Sequence, residues 1–110
     1  MSPSPDGSYK VAVSSDGPYW IFAFYDAKGN LMTEDETDFS SLLKVYWCWD
    51  KGNRLWVYNS DDGWTWYWSC DGSQWTRTPY STSDISPDPA LTPPEALYPE
   101  YVPKVPSGPR

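Results

Sequence analysis

The eight tryptophans of this chain all lie between Trp20 and Trp75, in short runs that are also rich in tyrosine and β-branched residues. Short polar segments that contain glycine separate these runs. Aromatic and β-branched residues favour the extended backbone of a strand, and glycine supplies the sharp corner between two antiparallel strands. The pattern therefore predicts an all-β chain built from hairpins.

The aliphatic content of the chain is low. Leucine, isoleucine, valine and phenylalanine supply only 17 of the 110 residues, and the net charge is −7. That composition alone would indicate disorder. Tryptophan and tyrosine change the prediction because each ring buries roughly 150 to 250 Å² and so replaces several aliphatic side chains. Every buried indole N–H or phenol O–H needs a hydrogen-bond partner, so we expect some rings to stay at the surface.

About seven short strands are predicted, at residues 9–13, 19–25, 30–33, 43–49, 54–58, 64–69 and 74–78. The acidic segment 34–42 breaks their rhythm and is predicted to be a crossing loop, with room for one helical turn. Residues 45–49 and 55–58 are apolar on both faces, which predicts central strands or strands covered from outside by the C-terminal segment or by another protein. The expected fold is a small antiparallel meander, a sandwich or a partial barrel.

Four corners combine a short polar side chain with glycine, at residues 4–7, 14–17, 59–63 and 69–72. The polar side chain is expected to bond the turn backbone, and glycine to take a positive φ angle. The residues assigned this structural role are Asp16, Gly17, Asp61, Gly63, Asp71 and Gly72. A second corner, in which aspartate precedes Lys-Gly-Asn, occurs at residues 25–31 and 49–55 and forms a degenerate internal repeat.

Residues 59–66, Asn-Ser-Asp-Asp-Gly-Trp-Thr-Trp, resemble the Asp-box of sialidase-type (BNR-like) β-propellers, a Ser-x-Asp-x-Gly-x-Thr-Trp corner, with Asn59 in place of its serine. Residues 69–75 and 14–20 look like shortened relatives. In that family the box is a structural turn distant from catalysis, so the resemblance implies a hairpin and not sialidase activity. Residues 17–32 are also similar to the aromatic hairpin repeats of choline-binding and glucan-binding modules, although regular repetition is missing here.

The composition changes at Pro79, since nine of the twelve prolines fall in the last 32 residues. Proline fixes φ and lacks the N–H that a sheet ladder needs, which predicts an extended or polyproline II conformation. We therefore divide the chain into an N-terminal arm (1–8), an aromatic-rich β-domain (9–78) and a Pro-rich extended C-terminal arm (79–110). The side chains expected to anchor this arm to its own domain or to a partner are Leu91, Leu97, Tyr98, Tyr101, Val102 and Val105.

Catalytic chemistry has little support in the sequence. The chain has no histidine, which excludes nucleophile activation by a Ser-His or Cys-His pair. A glycosidase needs two carboxylates across a cleft, whereas the acids of segment 34–42 are expected to form a solvated surface. Cys48 and Cys70 lack the further ligands of a metal site; we expect two buried thiols, with a disulfide as the alternative. The expectation is no enzymatic activity, no cofactor and no metal.

The charge and the hydropathy of the chain limit the classes of partner that we expect. Acids outnumber bases 15 to 8, which argues against nucleic acid because phosphate binding needs clustered lysine and arginine. No stretch approaches the roughly 18 apolar residues of a membrane span, and the first ten residues lack the apolar core of a signal peptide. We expect a soluble protein without a membrane partner or a visible secretion signal, located in a virion or in the cytoplasm.

Two functional hypotheses follow. The first is a non-enzymatic structural or interaction protein, such as a minor capsid protein or another small subunit of a larger assembly. It would bind neighbouring protein subunits through its β-domain and its Pro-rich arm, because an extended arm spreads contact over a long path without needing a core. The alternative is a carbohydrate-binding module that binds a glycan by stacking exposed rings on it, with Trp56, Trp64 and Trp75 as the candidates.

Overall fold

The structure, a computed structural model, describes residues 1–80, Pro93, Pro94 and Leu97. Eight antiparallel strands in this part of the chain form two four-stranded sheets, each a meander in which consecutive strands pair. The first sheet contains β1 (Ser2–Pro3), β2 (Tyr9–Ser14), β3 (Tyr19–Asp26) and β4 (Leu31–Ser40), and the second contains β5 (Val45–Trp49), β6 (Leu55–Asn59), β7 (Trp64–Asp71) and β8 (Gln74–Tyr80). The predicted all-β class is confirmed.

The main core contains buried side chains of both sheets. Its members are Val11, Phe22, Phe24 and Phe39 from the first sheet and Val45, Leu55, Val57 and Trp68 from the second. The ring centroids of Phe22 and Trp68 lie 4.5 Å apart, and Phe24 stacks on Trp75 at 4.2 Å. Large rings thus fill the space that a longer chain would fill with aliphatic side chains.

The acidic segment predicted to be a crossing loop is instead part of a strand. β4 spans ten residues and pairs with β3. Asp35, Thr37 and Phe39 are more buried than the acids that alternate with them, which is the period of two expected of a strand. Thr37 is buried, and its hydroxyl is satisfied there because it donates to the carbonyl oxygen of Trp20 at 2.8 Å. The prediction was wrong because residues 34–38 are polar at both the buried and the exposed positions, so the sequence shows no alternation of apolar and polar residues. The short segment 41–44 that follows connects the two sheets.

The two ends of the strand series also differ from the prediction. β1 lies within the segment expected to be an N-terminal arm, and it pairs with β2. β8 continues two residues beyond its expected end and includes Pro79, which pairs with Trp66. Proline is tolerated there because β8 is an edge strand, so one side of its backbone needs no ladder partner.

The repeated aspartate corner is first seen between β3 and β4. The backbone N–H of Asp26 donates to the carbonyl oxygen of Asn30, and Asp26 Oδ1 accepts from the N–H groups of Lys28 and Asn30, both at 2.9 Å. Gly29 has φ 91°. A positive φ at this point is typical of a three-residue hairpin loop that ends in a bulge.

The same corner recurs between β5 and β6. Asp50 Oδ1 accepts from the N–H groups of Gly52 and Arg54 at 2.8 and 3.0 Å. Here Asn53 takes the positive angle, with φ 62°, and Gly52 does not. The two corners are therefore aligned by their aspartates. In this alignment Asn53 is equivalent to Gly29, so the two Lys-Gly-Asn segments are out of register by one residue.

The positive φ angle predicted for the glycine corners is present at Gly63 and Gly72 and absent at Gly17. Gly63 and Gly72 have φ angles of 76° and 71°. Gly17 does not have a positive φ, so that prediction was wrong; Pro18 follows it, and a residue before proline is held toward extended angles. Asp16 lies exposed in the same bend.

Candidate functional site

The side of the second sheet that faces away from the main core is aromatic. Successive side chains of a strand point to opposite faces, so residues flanking the core positions of β5 to β8 point outward. The side chains that we call the outer aromatic face are Tyr46, Cys48, Trp56, Tyr58, Tyr67 and Tyr80. Strand pairing places Cys48 opposite Trp56 and Trp56 opposite Tyr67. This is the second apolar face that the sequence of β5 and β6 indicated.

Trp56 packs at the centre of this face and is fully buried. Its ring centroid lies 4.8 Å from that of Tyr67 and 5.2 Å from that of Tyr80, which it meets edge-on. Tyr46 and Tyr58 stack beside it with centroids 6.5 Å apart. Each such pair stabilises the fold by about 0.5 to 1.5 kcal/mol in addition to the stabilisation from burying its surface, so the rings form an ordered layer.

The indole N–H of Trp56 is satisfied by the aspartate corner next to it. Trp56 Nε1 donates to Asp50 Oδ2 at 2.8 Å, and the same oxygen accepts from Arg54 Nε at 2.7 Å. Burial by itself raises the pKa of Asp50, but the hydrogen bonds from Trp56 and Arg54 outweigh it and hold the pKa below the ordinary carboxyl value. The charged carboxylate therefore fixes the orientation of the central ring.

Leu97 lies on the outer aromatic face. It is only 1% exposed and packs in one cluster with Trp56 and Tyr58. Its backbone N–H donates to the carbonyl oxygen of Pro94 at 3.0 Å, which closes a turn, and Pro93 and Pro94 are half-buried. Burial of a leucine side chain stabilises the folded state by about 1.5 to 3 kcal/mol relative to exposure to water, so this contact is a substantial one.

Leu97 is one of the six residues that the sequence suggested as anchors of the C-terminal arm. The other five lie outside the described residues: Leu91, Tyr98, Tyr101, Val102 and Val105. The sequence did not single out the side chains beneath Leu97 except Trp56, although the two-faced aromatic pattern of β5 and β6 was the signal that could have found them.

The three rings suggested for glycan stacking lie in three different settings. Trp56 is covered and has no ring face open to a ligand. Trp75 is half-buried against the main core, where it stacks on Phe24 at an interplanar angle of 18°. Trp64 is 58% exposed at the start of β7. The three do not form a common platform, and Trp64 alone among them offers an exposed ring.

The corner that resembles an Asp-box ties two hairpins together. Asn59 Oδ1 accepts from the N–H of Asp61 at 3.2 Å, so Asn59 rather than Asp61 bonds the turn backbone. Asp61 Oδ2 instead accepts from the N–H of Lys44 at 2.7 Å, and Ser60 donates to the carbonyl oxygen of Lys44 from both its N–H and its hydroxyl. At the next corner Asp71 pairs with Gln74 across a two-residue turn.

Both cysteines are free thiols. Cys48 is half-buried in the outer aromatic face, and burial, with a smaller effect of the Asp50 charge, raises the pKa of its thiol to about 11. A thiol of that pKa stays protonated at neutral pH and is a poor nucleophile. In the described part of the chain, no group of three or more histidine, cysteine or acidic side chains is arranged to hold a metal ion.

No helix within the described ranges has the length and apolarity needed to cross a membrane. Comparison of the chain with protein-family models, with curated proteins and with solved structures found no match. Function must therefore be inferred from the outer aromatic face and from the contacts of its residues.

Proposed function

We propose that this protein is a non-enzymatic interaction subunit that joins protein neighbours by binding a proline-rich, leucine-bearing segment on the outer aromatic face. The observation that carries the proposal is the burial of Leu97 against Trp56 and Tyr58. The residues before it, Pro93 and Pro94, restrict the backbone of the unbound segment. A segment that is already restricted loses less entropy on binding, which is why proline-rich peptides bind aromatic surfaces well.

The same segment is long enough to reach a neighbouring molecule. Twelve residues separate Tyr80 from Pro93 in the sequence. At roughly 3.3 to 3.6 Å per residue, twelve residues span up to about 40 Å. The longest dimension of the described part of the chain is 42 Å. We infer that Leu97 of one copy binds the face of its own domain in isolation and the face of a neighbouring copy in the assembly.

The partners that we propose are protein subunits and not nucleic acid, since acids outnumber bases 15 to 8. A large assembly such as a virion suits this mechanism because every copy has neighbours within reach of a short extended segment. Binding through one buried side chain and an extended backbone gives a modest affinity per contact, and many such contacts in one particle add up to a stable structure.

Two variants that complement each other test the proposal. Leu97→Asp removes the anchor and leaves the face open, because a carboxylate is not tolerated among the buried rings. Tyr46→Asp at the half-buried edge of the face blocks it and leaves the anchor intact. Each variant alone is expected to be a monomer in sedimentation velocity, and an equimolar mixture is expected to contain heterodimers.

The control is a mixture of Leu97→Asp with the double variant Tyr46→Asp, Leu97→Asp, which has no anchor in either chain and should stay monomeric. Near-ultraviolet circular dichroism establishes that each variant keeps the packing of its rings. Two folded variants that remain monomeric when mixed at high concentration would contradict the proposal.

A further inference from the structure

A second surface of the molecule has the composition of a small-ligand site. A cleft of about 310 Å³ lies where the end of β4, the β6–β7 turn and the start of β7 meet. The side chains that give it its chemistry are Asp38, Phe39, Asn59, Asp62, Trp64 and Trp66. None of these belongs to the outer aromatic face, so the cleft is separate from the proposed peptide site. We propose that this cleft binds a single sugar ring of a neutral saccharide.

Trp64 supplies the flat surface that such a ligand needs. Trp64 is 58% exposed, whereas Trp66, the other tryptophan of the cleft, is half-buried. Trp64 is the first residue of β7 and pairs with Asn59 across the hairpin, so the strand holds the base of the side chain in place. One face of a pyranose ring consists of C–H groups and stacks on an aromatic face of this kind, while its hydroxyls point to the side.

One side chain that lines the cleft beside Trp64, that of Trp66, has an indole N–H without a hydrogen-bond partner in the described part of the chain. Trp66 Nε1 is buried and donates no hydrogen bond to a described residue, and the same is true of Nη1 of Arg77, which packs against Trp66 outside the cleft lining. The guanidinium carbon of Arg77 lies 5.3 Å from the centre of the Trp66 ring, and Arg77 Nη1 lies 3.9 Å from Asp38 Oδ1. A buried donor without an acceptor destabilises the folded protein, so a ligand oxygen that reached the N–H of Trp66 from the cleft would be stabilising.

Acceptors lie in the same cleft. The carboxylate of Asp38 is largely exposed, and Asp62 is held in position by a hydrogen bond of 3.1 Å from Asn59 Nδ2 to Asp62 Oδ2. A hydroxyl group both donates and accepts, so a polyhydroxy ligand can satisfy the Trp66 N–H and the carboxylates together. An organic cation would use only the carboxylates, and an anion would be repelled by them. The mixture of groups therefore favours a neutral sugar.

The volume of the cleft limits the size of the ligand. Small-molecule sites in proteins have volumes of roughly 300 to 1,000 Å³. The cleft, at about 310 Å³, is at the lower end of that range. We therefore infer contact with one ring, either a monosaccharide or one unit of a longer glycan.

The test uses the full chain and four neutral sugars, namely glucose, galactose, mannose and N-acetylglucosamine, with choline chloride as the cationic probe. Saturation-transfer NMR detects binding, and titration of tryptophan fluorescence measures affinity. At least one sugar should bind. Trp64→Ala should weaken its binding roughly tenfold or more, and Asp38→Asn should weaken it as well.

Tyr19→Ala is the matched control, since Tyr19 is 42% exposed and does not line the cleft. It should bind the sugar as the unchanged chain does, and so should Leu97→Asp, whose substitution lies in the other site. Asp38 is 84% exposed, so Asp38→Asn tests the cleft even where Trp64→Ala fails to fold. Binding of choline in preference to all four sugars, no binding of any sugar, or sugar binding that survives both substitutions would overturn the inference.

Discussion

Trp68 Nε1 donates a 2.7 Å hydrogen bond to Asp35 Oδ2, and this contact joins the second sheet to the first. Trp68 is 1% exposed, so its N–H has no access to water. Arg77 Nε lies 3.5 Å from the same carboxylate oxygen. One acid of β4 thus satisfies the polar group of a core tryptophan and helps to hold an arginine of β8.

Replacing Asp35 with alanine should therefore destabilise the fold. The buried N–H of Trp68 would lose its acceptor, which costs about 1 to 3 kcal/mol in the free energy of unfolding. Urea denaturation followed by tryptophan fluorescence measures the change. Glu34→Ala, an exposed acid in the same strand, is the control and should change stability little. Equal effects of the two substitutions would show that the Trp68 contact does not hold the sheets together.

Gly29→Ala should destabilise the β3–β4 corner by about 1 kcal/mol, because φ at this position is 91° and an L side chain resists such an angle. A Cβ atom at Gly29 would meet no other atom within 4 Å, so the backbone angle alone causes the effect. Gly17→Ala is the control, since Gly17 is equally open and has no positive φ. Thermal unfolding should separate the two variants, and a neutral Gly29→Ala would contradict the corner geometry.

The lowered pKa of Asp50 predicts how stability depends on pH. A carboxyl group whose pKa is lower in the folded state stabilises the fold above its ordinary pKa of about 3.9, and that stabilisation is lost as the pH falls through the folded value. The free energy of unfolding should therefore decrease as the pH falls below about 4. Asp50→Asn should make this decrease smaller, and a pH dependence that Asp50→Asn leaves unchanged would contradict the account.

Cys48 should react slowly with thiol reagents in the folded protein. Its pKa of about 11, against an ordinary value of 9.0, corresponds to about a hundredfold smaller thiolate fraction at neutral pH. The rate of reaction with a disulfide reagent, measured in a Cys70→Ser background, should rise strongly on unfolding. It should also rise in Leu97→Asp, which uncovers the face. A rate as fast in the folded chain as in the unfolded chain would show that Cys48 is not protected there.

Most strands could be predicted from the sequence because each one is a run of aromatic and β-branched residues that ends at a glycine or asparagine corner. The start of β4 was predicted, at residues 30–33, but its acidic part could not be, since the burial of Asp35 and Thr37 depends on hydrogen bonds to Trp68 and Trp20. Those partners are remote in sequence, and nothing local to the acidic segment reveals them. An isolated run of acids gives the pattern of a solvated loop equally well.

The candidate site was predictable only in outline. The sequence of β5 and β6 is apolar on both faces, which indicated that something covers the outer side. It could not identify the covering residue, because Leu97 is one of six similar apolar residues in the arm and its contact depends on the turn closed by the Pro94 carbonyl. The cleft was missed because Asp38 and Asp62 are far apart in the sequence. Asp38 lies in β4 of the first sheet and Asp62 in the β6–β7 turn of the second, and they line one cleft only in the folded chain.

Binding of a free peptide to the outer aromatic face tests the central claim most directly. The peptide has the sequence of residues 91–99, and its binding to the full-length Leu97→Asp protein is measured by isothermal titration calorimetry. We predict that it binds this variant, binds the unchanged chain much more weakly because that chain's own Leu97 competes, and loses affinity when the peptide itself carries Leu97→Asp. A folded Leu97→Asp protein that does not bind the unaltered peptide, or that binds both peptides equally, would contradict the account.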